Sequence, residues 1–220
     1  NEVRVVALDQ SFYALCDEKV AGTLIPVFSL RSEGSFGVGD FGDLKLMIDW
    51  VAKTHQRLLQ VLPINDSTST HTWTDSYPYS CISIFALHPQ YADLRQLPAL
   101  NDKLEADRFE VLREELNALP QIDYERVNNA KLKYLRLLFE QEGKKVLASK
   151  EFKAFFADCE HWLVPYAYYC YLRDLYGTCV FSEWADHKQW NEADRKALTN
   201  QKSELYNKVA FYYYVQFVLT

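Results

Sequence analysis

Glycine and proline are scarce, seven of each in 220 residues, which excludes a fibrous or loop-dominated chain. Cysteine is scarce too. The five cysteines, at 16, 81, 159, 170 and 179, are odd in number and form no C-x-x-C. That argues against a disulfide framework and a zinc site, and free thiols fit a reducing, cytoplasmic compartment. No run of 18 apolar residues occurs, so no transmembrane helix is expected. Clustered basic residues are also missing: the densest stretch is Lys144-Lys145, and 24 basic against 30 acidic side chains leave a net charge of −6. A nucleic-acid partner and a polybasic membrane contact are excluded on that ground. The five histidines, 55, 71, 88, 161 and 187, form no H-E-x-x-H and no i, i+4 pair; no metal site is expected. No G-x-S-x-G nucleophile elbow is present.

Apolar residues at 49% and charged residues at 25% are ordinary for a globular chain, whereas the 15% aromatic content is high. Val3–Leu8 is β-prone, and Thr23–Phe28 (TLIPVF) reads as a strand buried on both faces. Asp43 is expected to cap a helix that places Leu44, Met47, Ile48, Val51 and Ala52 on one face. Leu58–Leu62 forms the next strand, stopped by Pro63. Strand, helix and strand over about forty residues make a right-handed βαβ unit.

Helical periodicity then takes over. It predicts helices at 102–116, at 124–141 with Val127, Ala130, Tyr134 and Leu138 inward, at 151–159, and at 162–176 before Gly177. One or two more are expected over 191–220, with Leu205, Val209, Tyr212, Tyr213 and Phe217 on or near one face. The first third is therefore α/β and the remainder all-α. The chain opens without methionine and closes inside an apolar helical run, which predicts a piece of something longer.

Two motifs have chemistry to offer. Gly37-Val-Gly-Asp-Phe-Gly42 matches G-x-G-x-x-G, but its first glycine lies nine positions beyond Phe28, the last residue of the preceding strand, and further βαβ repeats are absent. It reads as a glycine-rich turn, with dinucleotide binding the alternative. The segment Trp73-Thr-Asp-Ser-Tyr-Pro-Tyr-Ser80 follows the second strand at its C-terminal end, where a (β/α)8 barrel binds substrate. Aromatic rings beside Asp75 and Ser76 suit a sugar: the apolar ring face stacks on Trp73 or Tyr79, and the hydroxyls bond the polar groups. The other reading is an aromatic loop folded onto its own core.

A family resemblance bears on that choice. Pro26-Val-Phe-Ser-Leu-Arg-Ser-Glu33, Gly37-Val-Gly-Asp40, Asp43-Leu-Lys-Leu46, Gln60-Val-Leu-Pro63, Asn65-Asp66 and Asp75-Ser-Tyr-Pro-Tyr-Ser80 resemble the amino-terminal part of a 4-α-glucanotransferase. So do Phe85-Ala-Leu-His-Pro89, Trp162-Leu-Val-Pro-Tyr-Ala167, Leu172-Arg-Asp174 and Tyr214-Val-Gln-Phe217. This is the amylomaltase or disproportionating-enzyme family, glycoside hydrolase family 77. The likeness is closest to the long subtype typified by the cytosolic plant enzyme and its bacterial relatives. Short bacterial amylomaltases carry D-S-P-Y-Q; here Tyr77 is inserted and the motif ends in Ser80.

The resemblance implies a partial (β/α)8 barrel with a large helical subdomain inserted after the second strand. Residues 1–93, with a substrate loop at 65–80, would form the first β/α units, and 94–220 the subdomain leading to the third strand. It implies retaining transfer of α-1,4-linked glucosyl units among maltose, maltodextrin or glycogen-like glucans, without metal or organic cofactor. A carboxylate nucleophile forms a glucosyl-enzyme, which a sugar hydroxyl resolves. The family's catalytic carboxylates lie beyond the matched region, so none is assigned here. Tyr79 matches the tyrosine that stacks on the sugar beside the cleaved bond; Asp75 and Ser76 match as shapers of its loop. The alternatives are a glucan-binding or folding unit without catalysis and, through Gly37–Gly42, a nucleotide-binding protein. Two strands cannot close a barrel, so the isolated chain is expected to self-associate.

Overall fold

The computed structural model describes residues 19–187 and 189–220. The expected strand Val3–Leu8 and Cys16 lie outside them. Strand β1 (Gly22–Leu24) pairs in parallel with β2 (Leu58–Gln60), Thr23 opposite Leu59, and helix α1 (Phe41–Lys53) connects them. Five further helices follow: α2 (Lys103–Ala118), α3 (Tyr124–Ala148), α4 (Lys150–Tyr176), α5 (Glu192–Thr199) and α6 (Glu204–Leu219).

The expected β1 is shortened. Pro26 cannot donate to a ladder and sits at φ −65°, and a 3-10 turn at Val27–Ser29 follows it directly. The strand is not buried on both faces either. Leu24 and Leu58 are more than half exposed, because among the described residues the sheet has two strands.

Helix α1 is capped by Asp40 and not, as the sequence suggested, by Asp43. Asp40 Oδ1 accepts from Gly42 N at 2.9 Å and Asp43 N at 3.1 Å, while Asp43 Oδ2 accepts from Asp40 N at 3.2 Å. This reciprocal capping box satisfies donors that a helix start leaves open. On the expected apolar face Val51 is buried, but Ile48 and Ala52 are exposed.

The glycines before α1 serve close packing. Gly37 has φ +81°, a region costly for side chains with a Cβ. A Cβ on Gly39 would run into the carbonyl oxygens of Val27 and Leu30, and one on Gly42 into the Asp93 carboxylate.

The two helices predicted at 151–159 and 162–176 are one. Helix α4 runs 27 residues through Pro165 and ends at Gly177, which has φ 66°, the left-handed glycine stop. In α3 the predicted inward residues Val127, Ala130, Tyr134 and Leu138 are all buried.

Helix α6 is central: it packs on α3, α4 and α5. Val209, Ala210, Phe211, Tyr213, Tyr214, Val215 and Leu219 are buried, so its apolar surface runs around the helix and is wider than the single face expected. Aromatic rings fill these seams, as where Phe156 meets Tyr213 edge-on at 5.2 Å and Phe152 meets Phe217 at 5.5 Å.

A buried charge cluster joins the first unit to α3. Lys131 is fully buried and donates to the carbonyls of Gln90 at 2.7 Å and Ala92 at 2.8 Å. Its Nζ lies 3.7 Å from Asp40 Oδ2, and Arg95 bonds both Asp40 and Asp93. Burial lowers Lys131 to about 8 despite the pull of Asp40. Burial likewise raises Asp40 to about 6 against the pull of Lys131.

Candidate functional site

The loop from Asn65 to Ser80 leaves the C-terminal side of β2 and is closed at its base by backbone bonds. Asn65 bridges Leu87, Asp66 N donates to the Ala86 carbonyl at 2.8 Å, and Ile82 N donates to the Asp66 carbonyl at 2.7 Å. Within the loop, Asp75 is the organiser. Its carboxylate accepts from Thr70 N, Thr70 Oγ1 and His71 N, the last at 2.7 Å. Its own carbonyl accepts from Ser67 Oγ at 2.6 Å. Ser76 Oγ donates to the Trp73 carbonyl at 2.6 Å inside the short 3-10 turn Trp73–Ser76. Both polar side chains that the sequence singled out are thus engaged with the loop's own backbone.

Tyr166, Arg173 and Glu125 are among the residues that fix the loop to the helices. Asp66 Oδ2 accepts from Tyr166 OH of α4 at 2.6 Å. Burial, with the Asp66 carboxylate second, pushes that phenol well above its ordinary value, so Tyr166 stays a donor. Arg173 of α4 donates to the Thr68 carbonyl at 2.6 Å. Trp73 N donates to Glu125 Oε1 of α3 at 2.9 Å.

His71 sits at φ +58°, unusual for a residue with a Cβ. It is held by the Asp75 bond on its N–H and by its ring on Asp174 at 2.9 Å. Burial would raise Asp174, but hydrogen bonds from His71, Arg173 and Tyr212 hold its carboxyl well below the usual range. Behind the loop, Asp66, His71, Arg136, Cys170, Asp174 and Tyr212 are among the residues around a cavity of about 170 Å³. Burial raises the Cys170 thiol to about 12, so it is not a nucleophile at neutral pH.

Asp66, Ser67, Thr68 and Asp75 are buried, while the loop presents aromatic rings outward. Trp73 is 67% exposed, Tyr77 58% and Tyr79 60%. The Tyr77 and Tyr79 rings lie 5.5 Å apart at 58°. Exposed large aromatics on a frame held by hydrogen bonds are a stacking surface whose ordering is already done. The alternative of a loop folded onto its own core does not describe these three side chains. Among the described residues no group of histidine, cysteine and carboxylate side chains is arranged to hold a metal ion, and no helix is long and apolar enough to cross a membrane.

Sequence reasoning missed His71, Glu125, Tyr166 and Asp174 as supports of this loop. Their partners lie 52 to 103 residues away, beyond any spacing signal.

This geometry can be set beside known proteins. The family model for 4-alpha-glucanotransferase, glycoside hydrolase family 77, matches residues 25–220. The chain belongs to that family. A 4-alpha-glucanotransferase from rice is 39% identical over 201 residues, 90% of this chain and 21% of the rice protein. One from Chlamydia caviae is 32% identical over 90% of this chain and 36% of its own length. The crystal structure of amylomaltase from Corynebacterium glutamicum superposes with a TM-score of 0.70 at 21% identity, covering 95% of this chain and 28% of that one; it shares the fold of that portion. The chain thus spans between about a fifth and just over a third of the proteins it matches.

Proposed function

We propose that this chain is a glucan-facing portion of a 4-alpha-glucanotransferase, the amino-terminal part of its catalytic domain. The complete protein moves α-1,4-linked glucosyl or glucan units from maltose or maltodextrin donors to glucan or glucose acceptors. The observation that carries the reading is the exposed set Trp73, Tyr77 and Tyr79 on a hydrogen-bonded loop, in a chain of this family.

On this reading residues 1–93 supply the first β/α units of a (β/α)8 barrel and residues 94–220 a helical subdomain that leads toward the third strand. The parallel β1–α1–β2 unit followed by helices supports it. Tyr79 and Trp73 stack on glucose rings, while Asp75 and Ser76 keep the loop in shape. The reaction is a retaining double displacement. A carboxylate outside these 220 residues attacks the anomeric carbon, a second carboxyl protonates the departing oxygen, and an acceptor hydroxyl then displaces the enzyme carboxylate. Stacking that strengthens as the ring flattens toward the oxocarbenium-like transition state adds to kcat as well as to binding. No cofactor is needed, and the free thiols Cys81, Cys159, Cys170 and Cys179 fit the cytoplasm.

The test is product analysis. The full-length protein incubated with maltotriose should yield glucose together with longer maltodextrins, and the 220-residue chain alone should yield neither. Transfer products absent from the full-length reaction would overturn the reading. Products from the 220 residues alone would overturn the placement of the catalytic carboxylates.

A further inference from the structure

Asn65 and Leu87 face each other in the antiparallel bridge at the root of the aromatic loop. The bonds of that bridge lie to either side of the pair: Asp66 N donates to the Ala86 carbonyl at 2.8 Å and His88 N to the Ile64 carbonyl at 3.0 Å. In such a pair the N–H and C=O of the two facing residues point away from each other. Leu87 therefore offers both groups to its far side, where the next strand of a sheet would lie. Among the described residues no backbone group takes them; Gln216 of α6 does. Its Oε1 accepts from Leu87 N at 2.8 Å, and its Nε2 donates to the Leu87 carbonyl at 2.9 Å. One side-chain amide thus closes the ladder in place of a third strand.

The second Nε2 hydrogen leads into the loop itself. It reaches Tyr166 OH of α4 at 3.3 Å, and that hydroxyl donates to Asp66 Oδ2 at 2.6 Å. The other carboxylate oxygen, Oδ1, accepts from Thr68 N at 2.9 Å and from Thr68 Oγ1 at 2.6 Å, which folds the first turn of the loop. Asp66 and Gln216 are each 1% exposed. Groups so buried are costly to leave unbonded. Both amide hydrogens and the amide oxygen of Gln216 are used, and the Leu87 donor and acceptor admit only one orientation of the group.

We propose that Gln216 is a positioning residue for the glucan-stacking loop. It sets both sides of the root, Leu87 directly and Asp66 through the Tyr166 hydroxyl, and so holds the base from which Trp73 and Tyr79 are presented. A loop ordered in advance need not be ordered by the ligand. Loosening it weakens the binding of substrate and transition state alike, so the effect falls on KM and not on kcat. The consequence for glucan rests on the reading above; the effect on the loop does not.

Three variants of the full-length protein separate positioning from general stability. Gln216→Met keeps the length of the side chain and removes every bond of the amide. Tyr166→Phe keeps the ring and removes the link to Asp66. Tyr213→Phe is the control: it deletes another buried hydroxyl bond, from α6 to the Leu198 carbonyl of α5 at 3.2 Å, which does not lead to the loop.

Hydrogen exchange at the Thr68, Thr70 and His71 amides should be at least about tenfold faster than wild type in Gln216→Met and Tyr166→Phe, and unchanged in Tyr213→Phe. With maltotriose, KM should rise about tenfold in the first two with kcat within about twofold of wild type, and neither should move in Tyr213→Phe. Loop exchange at the wild-type rate in folded Gln216→Met, or an equal rise in all three variants, overturns the positioning role. Should Gln216→Met not fold, two measurements remain. A wild-type Leu87 amide that exchanges as freely as an unbonded one, or unchanged loop exchange in Tyr166→Phe, overturns it. Faster exchange with an unchanged KM overturns the role in substrate binding. A wild-type protein that does not turn over maltotriose counts against the glucan reading instead, and the exchange results still decide the assignment of Gln216 to the loop.

Discussion

The ring of His71 and the carboxylate of Asp174, 103 residues apart in sequence, meet at 2.9 Å. Asp174 also accepts from Arg173 Nε at 2.7 Å and from Tyr212 OH at 2.8 Å. One carboxylate therefore ties the aromatic loop to both α4 and α6. Asp174→Asn should loosen the loop and lower stability by about 1 kcal/mol, a figure kept small because the pair is partly exposed. The Asp174 carboxyl titrates lower in the folded protein than its ordinary 3.8. Its contribution is complete above that value and is lost as pH falls through the folded one. Thermal melts across acid pH should show a shallower loss in Asp174→Asn than in the wild type; parallel curves would contradict this.

Lys131 and Asp40 make a different kind of tie, fully inside the protein. Lys131→Met strands the Gln90 and Ala92 carbonyls and leaves Asp40 with Arg95 alone for counter-charge, at a cost of about 3 kcal/mol. Folding already raises Asp40 to about 6, and removing Lys131 raises it further. A raised carboxyl contributes stability at low pH that is lost as pH rises through the folded value. The deficit of Lys131→Met in urea unfolding should therefore be larger at about pH 8 than at about pH 5. A deficit that shrinks with rising pH would contradict the assignment.

Gly39 admits no side chain, because a Cβ meets two backbone carbonyl oxygens that belong to the turn before α1. Gly39→Ala should cut soluble yield or lower the melting temperature by several degrees, the response to a loss of about 1–2 kcal/mol. Normal folding with selective loss of nucleotide binding would instead revive the dinucleotide reading of Gly37–Gly42.

Leu24, Leu46, Ile48, Trp50 and Leu58 are each about half exposed or more on the β1–α1–β2 unit. Apolar surface of that extent drives association, and a two-stranded sheet has open edges. Size-exclusion chromatography with light scattering should find the 220-residue chain self-associated. A monodisperse monomer that unfolds cooperatively would count against it.

Much of this was legible in the sequence, and the limits follow the range of the interactions. The 3.6-residue period placed α3 and its buried Val127, Ala130, Tyr134 and Leu138, since a helix face is decided locally. The glycine-rich turn and the loop at 65–80 were legible from turn chemistry and from the family motif. The apolar run begins after Asp43, which points to a cap three residues late, although Asp40 and Asp43 both belong to the capping box. The pattern divides α4 at Glu160–His161, where two polar residues interrupt the apolar spacing, whereas the helix runs through them unbroken. The supports of the site, Tyr166 on Asp66 and Asp174 on His71, are pairings of distant residues and leave no local trace. Asp75 and Ser76 stand out in the sequence motif, but their bonds to the loop backbone depend on the folded loop and leave no trace in it.

Tyr79 offers the most direct measurement of the central claim. In the full-length protein, kcat/KM for maltotriose should fall at least about tenfold in Tyr79→Ala, the factor that corresponds to about 1.4 kcal/mol. Its melting temperature should stay unchanged, because the ring is 60% exposed and packs on no core. Tyr79→Phe should keep more activity where ring stacking dominates. Wild-type kinetics in a folded Tyr79→Ala protein would contradict the claim that this loop is the glucan-facing surface.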